Sequence, residues 1–239
     1  VLDLKDGFWH IDLDEDSRKL CSFTTPFGLY QFNRLPFGIK IASEIFQKYM
    51  SDTFGDLKGV KFYIDDLIIF GKDLDEHDLN IKAVMLRARE KGIKFNSKKV
   101  QFTESSVKFF GHIFSEDEVR VDPERIESIS TIPIPLNKHD VQKFLGVINY
   151  MRDFIPNLPK LTQNIRNLLK KDSEFNWQVQ HQTEFENIKC AIKDSACCAS
   201  YDESLPLELE TDASSYGLGA CLKQGKKVIS YASRCLSDT

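Results

Sequence analysis

Two stretches of the chain place carboxylates where folded proteins seldom keep them. Asp3 stands between Leu2 and Leu4 in a short apolar run, and Asp65-Asp66 interrupts a β-rich run from Val60 to Phe70. A carboxylate in a buried strand is costly unless a cation or hydrogen bonds satisfy it. The chemistry that wants such carboxylates is Mg2+ on phosphate, because Mg2+ takes oxygen ligands, usually one or two protein carboxylates plus substrate phosphates. Two such ions about 3.5–4 Å apart clamp the attacking and leaving oxygens of an in-line displacement. Side chains alternate along a strand, so at most one of Asp65 and Asp66 is expected to share a face with Asp3. Taken alone, Asp65-Asp66 reads at least as well as a polar hairpin tip, since Asp is a favoured turn residue. In the company of Asp3 the metal reading gains.

The elements that must position these acids follow from periodicity and punctuation. Val1 to Leu4 reads as a strand, Trp9, Ile11 and Leu13 alternate, and Leu20 to Phe32 reads as a hairpin turning at Pro26-Phe27-Gly28. Leu35-Pro36-Phe37-Gly38 is a turn signal feeding a helix through Ala42, Ile45, Phe46, Tyr49 and Met50, closed near Gly55. Val60 to Phe70 reads as a hairpin with both acids at its tip, and Leu74 to Lys91 as a helix closed by Gly92. Strands are expected around Ile93–Phe95 and Val107–Phe114. After Val121-Asp122-Pro123 the pattern turns helical, over Pro123–Ser130, Lys138–Phe154, Pro159–Lys170 and His181–Lys193. From Leu205 onward β-character returns, through Asp212, Gly217–Leu222 and Val228–Ala232.

Composition excludes several classes. The 239 residues are 41% hydrophobic and 28% charged, which excludes collagen-like and low-complexity chains. No apolar run approaches the roughly 18 residues of a membrane span. Six cysteines show no CxxC pair, and five histidines show no ligand spacing, so neither a disulfide framework nor a zinc site is expected. The net charge of −4 hides a division. Lys82, Arg87, Arg89, Lys91, Lys94, Lys98, Lys99 and Lys108 face only Glu90 and Glu104, whereas the stretch from Asp172 to Asp212 is strongly acidic. That segregation fits a basic groove beside acidic sites, and equally two solvated helix faces of opposite sign.

The order of motifs carries a resemblance. LDLKDGFW (2–9), FGLYQFNRLPFGIK (27–40), FYIDDLIIF (62–70) and KFFGHIFS (108–115) together resemble the palm of a reverse transcriptase. VDPERIESI (121–129), FLGVINYMRDFIP (144–156), LLKKDSEFNW (168–177) and LELETDASSYGLGACL (207–222) extend the likeness through thumb into ribonuclease H. The whole is similar to the Pol polyprotein of gypsy-type LTR retrotransposons. The resemblance implies an α+β fold: a palm with part of the fingers (22–35) over 1–118, a helical thumb or connection over 119–175, and the start of a ribonuclease H-like α/β domain over 176–239.

It also implies roles. Asp3 resembles the first metal aspartate, with Leu4 offering its carbonyl; Asp65 resembles the second metal ligand, and Asp66 its less strictly required catalytic neighbour. Phe8 matches the aromatic gate that excludes a 2′-hydroxyl. Lys5-Asp6-Gly7 matches the turn whose amides approach the triphosphate, and Phe37 and Gly38 match the lining of the nucleotide pocket. Lys99 matches a lysine that protonates the leaving pyrophosphate, and Phe110, Gly111 and His112 match the primer grip. Lys138 and Lys143 are expected on the nucleic-acid backbone, Arg34 as a remnant of the triphosphate grip, and Asp212 as a metal ligand of the ribonuclease H site.

The implied cofactor is Mg2+, with Mn2+ as a substitute. The implied partners are an RNA or DNA template with its primer, a dNTP and an RNA–DNA hybrid, with flanking protease and integrase domains and no membrane. The implied location is cytoplasmic virus-like particles and the nucleus. The chain departs from the family's usual residues at Ile41, Ser43 and Val100, none of them a catalytic group. With the upstream fingers and the later ribonuclease H acids outside it, the chain is expected to be inactive by itself. The rival expectation is a catalytically silent relic that binds nucleic acid.

Overall fold

The computed structural model describes residues 1–170, 173–194, 197–214 and 217–236, so parts of the 168–177 and 207–222 motifs lie outside it. The chain divides into two units, Val1–Phe110 and Gly111–Thr239.

The first unit is built on a three-stranded antiparallel sheet. β1 (Leu2–Asp3) lies beside β5 (Asp66–Ile69), which pairs with β4 (Val60–Tyr63). The register sets Leu2 opposite Leu67 and Asp3 opposite Asp66. Directly opposed residues share a face, so the two leucines enter the core while the two aspartates share the other face. On the far edge of β1, Leu4 bridges to Phe95, and the amides of Lys5 and Asn96 donate to the carbonyls of Lys94 and Asp3 at 2.9 and 2.8 Å. Residues 94–96 thus run alongside β1 although no regular strand forms at Ile93–Phe95.

Packed on the core face is α2 (Ala42–Phe54), with Ala42, Phe46, Met50 and Phe54 buried at helical spacing. The shorter α1 (Glu15–Leu20) precedes the hairpin of β2 (Ser22–Thr25) and β3 (Gly28–Gln31), and was not apparent from apolar periodicity because it buries nothing. Trp9, Ile11 and Leu13 do not form the alternating strand their spacing suggests. Asp6 adopts a left-handed conformation and Gly7–His10 makes one 3₁₀ turn. Gly7 is required there by contact: a Cβ would lie 2.8 Å from the Phe46 ring, itself fully buried. α3 (Leu74–Lys91) begins at an Asp73 cap, with Glu76 reaching back to the Lys72 amide, and ends at Gly92. Then comes β6 (Ser106–Phe109). The expected continuous strand through Phe114 is interrupted because Phe110 and Gly111 both take positive φ, 48° and 70°.

The second unit starts with β7 (His112–Ser115), β8 (Glu118–Val121) and, much later, β9 (Cys197–Ala199), paired antiparallel in that order. Around them pack α4 (Pro123–Ser130), α5 (Lys138–Tyr150), α6 (Leu158–Leu161), α7 (Gln163–Asn167) and α8 (Val179–Asp194). Val141, Phe144, Leu145 and Ile148 give α5 its buried stripe, and Asn137 caps it by accepting from the Asp140 amide. α5 ends at Tyr150, earlier than the expected Phe154, and the expected helix over Pro159–Lys170 is two short ones. Thr162 breaks it: fully buried, its hydroxyl donates to the Leu158 carbonyl at 2.8 Å and accepts from Arg166 Nε. Such side-chain bonds compete with the helical ladder. The described residues end in an antiparallel meander, β10 (Glu208–Ala213), β11 (Gly217–Gln224) and β12 (Lys227–Cys235). No helix among the described residues is long and apolar enough to cross a membrane.

Phe46 is the side chain on which the first unit's core and its 3₁₀ turn both rest. Phe46→Ala is expected to destabilise that unit by about 3–5 kcal/mol. Urea unfolding followed through Trp9, with Trp177 replaced by Phe, reads the loss.

Candidate active site

A cleft of about 910 Å³ opens over the acid-bearing end of the first unit's sheet, lined by Asp3, Leu4, Lys5, Asp6, Gly7, Phe8, Phe37, Phe46, Asp65 and residues 94–99. Most residues singled out around Asp3 are therefore brought together: two acids, the Leu4 position, the turn at Lys5–Gly7, Phe8, Phe37 and Lys99. Asp3 is 9% exposed. Its Oδ2 accepts from Lys99 Nζ at 2.9 Å, and Asn96 Nδ2 lies 3.4 Å from its Oδ1. The Asp3 carboxylate in turn holds the Lys99 ammonium's pKa above the ordinary lysine value, first through that hydrogen bond and then through its charge.

The two neighbouring acids are separated by the turn. Ile64 and Asp65 form the loop of the β4–β5 hairpin and Asp66 is already the first residue of β5, so the tip carries one acid rather than two. Asp66 shares the sheet face with Asp3 by register, whereas Asp65 lines the cleft with Asp3 from the turn, where strand alternation no longer applies. Asp66 is not part of the cleft lining. The Asp65 carbonyl accepts from the Leu4 amide at 2.8 Å, which ties the turn to β1. Ile64 sits at φ 52°, a conformation rare for a β-branched residue and worth on the order of 1–3 kcal/mol of strain. Its amide donates to Gln47 Oε1 at 2.8 Å.

Aromatic packing fixes the cleft's other wall. The Phe8 ring lies 5.2 Å from both Phe37, edge-on, and Phe46. Phe37 is 63% exposed, and Gly38 follows it at φ 88° with open space where a side chain would be. Four lysines (Lys5, Lys94, Lys98 and Lys99) and three aspartates (Asp3, Asp6 and Asp65) line this cleft, so its wall is net positive in a chain that is net negative. Lys94 and Lys98 stand out in the sequence only as members of a basic stretch, and Asn96 not at all, because nothing in their spacing ties them to Asp3; the backbone pairing of 94–96 with β1 does so. Gln47 was equally invisible, a polar residue beside Phe46 on an otherwise ordinary amphipathic helix.

Other expected site residues lie elsewhere. Arg34 does not line the cleft; its guanidinium bonds the Trp9 carbonyl at 2.9 Å and pairs with Asp12. In the first unit the Phe110 ring packs on Tyr63, centroids 4.1 Å apart. In the second, a Cβ on Gly111 would meet Tyr150 Oη and Arg125 at 3.0 and 3.1 Å. His112 stacks with Tyr150 and with Phe154, with Nδ1 3.2 Å from Tyr150 Oη, and the Arg125 guanidinium lies over the Tyr150 ring, 3.9 Å from its centroid. Lys138 donates to the Lys170 carbonyl at 3.0 Å, and Lys143 is exposed on α5. Asp212, opposite Gly219 in the β10–β11 ladder, lines a second cavity of about 280 Å³ with Asn157, Lys160 and Ser214. Among the described residues no group of three or more His, Cys, Asp or Glu is gathered to hold a metal.

The chain is similar to known proteins along its whole length. Residues 1–114 match the family described as reverse transcriptase (RNA-dependent DNA polymerase), and residues 177–239 match the RNase H-like domain found in reverse transcriptase. The whole chain is 33% identical to the retrovirus-related Pol polyprotein from transposon 297 of Drosophila melanogaster, of which it spans 23%. Over 93% of its length it is 33% identical to the transposon Tf2-7 polyprotein of Schizosaccharomyces pombe, spanning 17% of that protein. Its fold is similar to that of a foamy viral protease-reverse transcriptase in complex with RNA/DNA hybrid, at TM-score 0.84 and 24% identity, covering 100% of this chain and 33% of that one. A second foamy viral structure, in complex with double-stranded DNA, gives a TM-score of 0.86 over 99% of this chain and 43% of that chain. The chain belongs to the reverse transcriptase family through residues 1–114 and to the RNase H-like domain family of reverse transcriptases through residues 177–239, an arrangement it shares with retrotransposon Pol polyproteins.

Proposed function

We propose that this chain is part of an RNA- and DNA-directed DNA polymerase that joins a dNTP to a primer 3′-hydroxyl with Mg2+, and that its second unit carries part of a ribonuclease H site around Asp212. One observation carries the reading: Asp3 from β1 and Asp65 from the turn that leads into the neighbouring β5 line one cleft with the Leu4 position and the Phe8 ring. The donor set fits a hard cation. It consists of oxygens only, and two protein carboxylates are the usual complement for Mg2+, the remaining positions going to phosphate and water. The Lys99 ammonium on Asp3 marks the same oxygen as a cation seat. Bound there, Mg2+ supplies charge stabilisation for nucleophile and leaving group.

The chain's own residues account for the rest. The Lys5 amide is engaged by the Lys94 carbonyl, so within that turn the Asp6 and Gly7 amides are the ones that serve the triphosphate. Phe8, wedged between Phe37 and Phe46, presents a ring that cannot retreat from a 2′-hydroxyl. In this reading Lys99 gives a proton to pyrophosphate, and Phe110 to His112 hold the primer end. The foamy viral relatives bind RNA/DNA hybrid and double-stranded DNA, which supports a template–primer duplex as partner here, contacted by Lys143 and the basic stretch from Lys82 to Lys108. The polyprotein relatives support flanking domains in the parent protein.

Three outcomes test this. In Mg2+-dependent primer extension on RNA by a polyprotein segment containing this chain, Asp65→Asn is expected to lower the rate by about two to three orders of magnitude while duplex binding persists. Unchanged extension removes Asp65 from the metal site, and no extension by the parent despite duplex binding favours the silent relic. In the same assay Phe8→Ala is expected to raise ribonucleotide use relative to deoxynucleotide by roughly 10–200-fold, measured with competing rNTP and dNTP. The third concerns Asp66, whose pKa is raised by burial first and then by the Asp65 and Asp3 charges. A raised acid binds its proton more tightly folded than unfolded, so metal-free stability falls as pH climbs from the ordinary Asp value through the raised one. Asp66→Asn is expected to flatten that fall and raise the neutral-pH melting temperature, read by thermal melts across pH.

A further inference from the structure

The strained residue in the first unit's hairpin is held at its amide by a side chain from α2. Ile64 occupies the first loop position at φ 52°, which a two-residue hairpin of this hand demands and which Gly or Asn ordinarily supplies. A β-branched residue keeps such a conformation only where its surroundings impose it. The Ile64 side chain packs against the first unit's core, and two hydrogen bonds fix the turn's backbone. The next residue's carbonyl is held by the Leu4 amide, and the Ile64 amide is held by Gln47 Oε1 at 2.8 Å. Gln47 is half-buried on α2, directly after Phe46, whose ring supports Phe8 and closes over Gly7. One helix therefore reaches both halves of the cleft through consecutive side chains.

We propose that Gln47 is a positioning residue for the metal-binding carboxylate: by accepting from the Ile64 amide it holds the hairpin in the strained turn that aims Asp65 into the cleft beside Asp3. The inference rests on the proposed role of Asp3 and Asp65 as metal ligands and adds to it a residue that touches neither metal nor substrate. Without the Gln47 acceptor the Ile64 peptide relaxes toward negative φ, and Asp65, the next residue, turns with it. The strain predicts its own cure. Glycine adopts positive φ freely, so a glycine at position 64 makes the Gln47 bond dispensable.

The test is a double-mutant cycle on the full chain carrying Asp212→Asn, with Mn2+ alone as the probe and free Mn2+ counted by electron paramagnetic resonance. Gln47→Met, similar in size but unable to accept, is expected to weaken Mn2+ binding about 10–100-fold, the usual effect of removing a group that orients a ligand. Its melting temperature is expected to stay near that of the parent. Adding Ile64→Gly is expected to restore most of the affinity, so that the two substitutions are strongly non-additive. Equal Mn2+ affinity in Gln47→Met and its parent, or the same loss with and without Ile64→Gly, overturns the proposal. Asp65→Asn runs alongside. If it leaves Mn2+ binding unchanged, the metal reading itself falls, whereas loss in Asp65→Asn with none in Gln47→Met removes only the role of Gln47. Should Gln47→Met fail to fold, hydrogen exchange in the unsubstituted chain decides. An Ile64 amide as protected as that of Leu4 supports the proposal, and one exchanging at the free rate overturns it.

Discussion

Three carboxylates held against one another at the end of a small sheet are the constraint around which the first unit is organised. Register puts Asp3 directly across from Asp66, and the turn adds Asp65. Two unit charges ~5 Å apart repel by roughly 3 kcal/mol at an effective dielectric of about 20, and burial of Asp3 adds desolvation. The compensation is local. Lys99 reaches Asp3 from a segment that the backbone of β1 itself holds in place, and Asn96 lies at its second oxygen. The opposite face of the same strands, Leu2 and Leu67, is fully committed to the core, so the sheet cannot slip by one residue to relieve the acids.

The helix α2 converts this into a shaped site. Its core stripe anchors it under the sheet, and its Phe46 fills the space a side chain at Gly7 would need. The 3₁₀ turn, the Phe8 ring and the hairpin tip are thus referred to one rigid element rather than to separate loops, which is how a site keeps its geometry to within tenths of an ångström. The second unit is organised differently, as helices packed on Phe144, Ile148 and Phe185 with a three-stranded meander at its end, and the stack of Tyr150, His112 and Phe154 fixes its first strand.

Much of this was legible in the amino-acid sequence, and the rest was hidden for identifiable reasons. α2, α3, α4 and the β4–β5 hairpin announce themselves through apolar spacing, capping residues and closing glycines. α1 does not, because a helix with no buried face leaves no periodic trace. The break at Thr162 is invisible to periodicity because the apolar pattern runs straight through it, and only a buried hydroxyl bonded back to Leu158 ends the first helix. Asp3, Phe8, Phe37, Asp65 and Lys99 could be gathered from motif order, and the cleft contains them all. Lys94, Lys98 and Gln47 could not be found that way. Their places come from a backbone pairing across more than ninety residues and from a helix-to-turn hydrogen bond, neither of which has a local signature.

The mixed lining of the cleft has a consequence for the order in which it fills. With four lysines against three aspartates, and with Lys99 already resting on Asp3, the empty cleft shows a polyanion a mildly attractive wall instead of bare carboxylates. A phosphate-bearing ligand can therefore approach before any cation has arrived. Were it to draw Lys99 toward itself, it would uncover the Asp3 oxygen beneath that lysine. On the proposed function, anion and cation would then recruit one another, each lowering the electrostatic barrier to the other's entry.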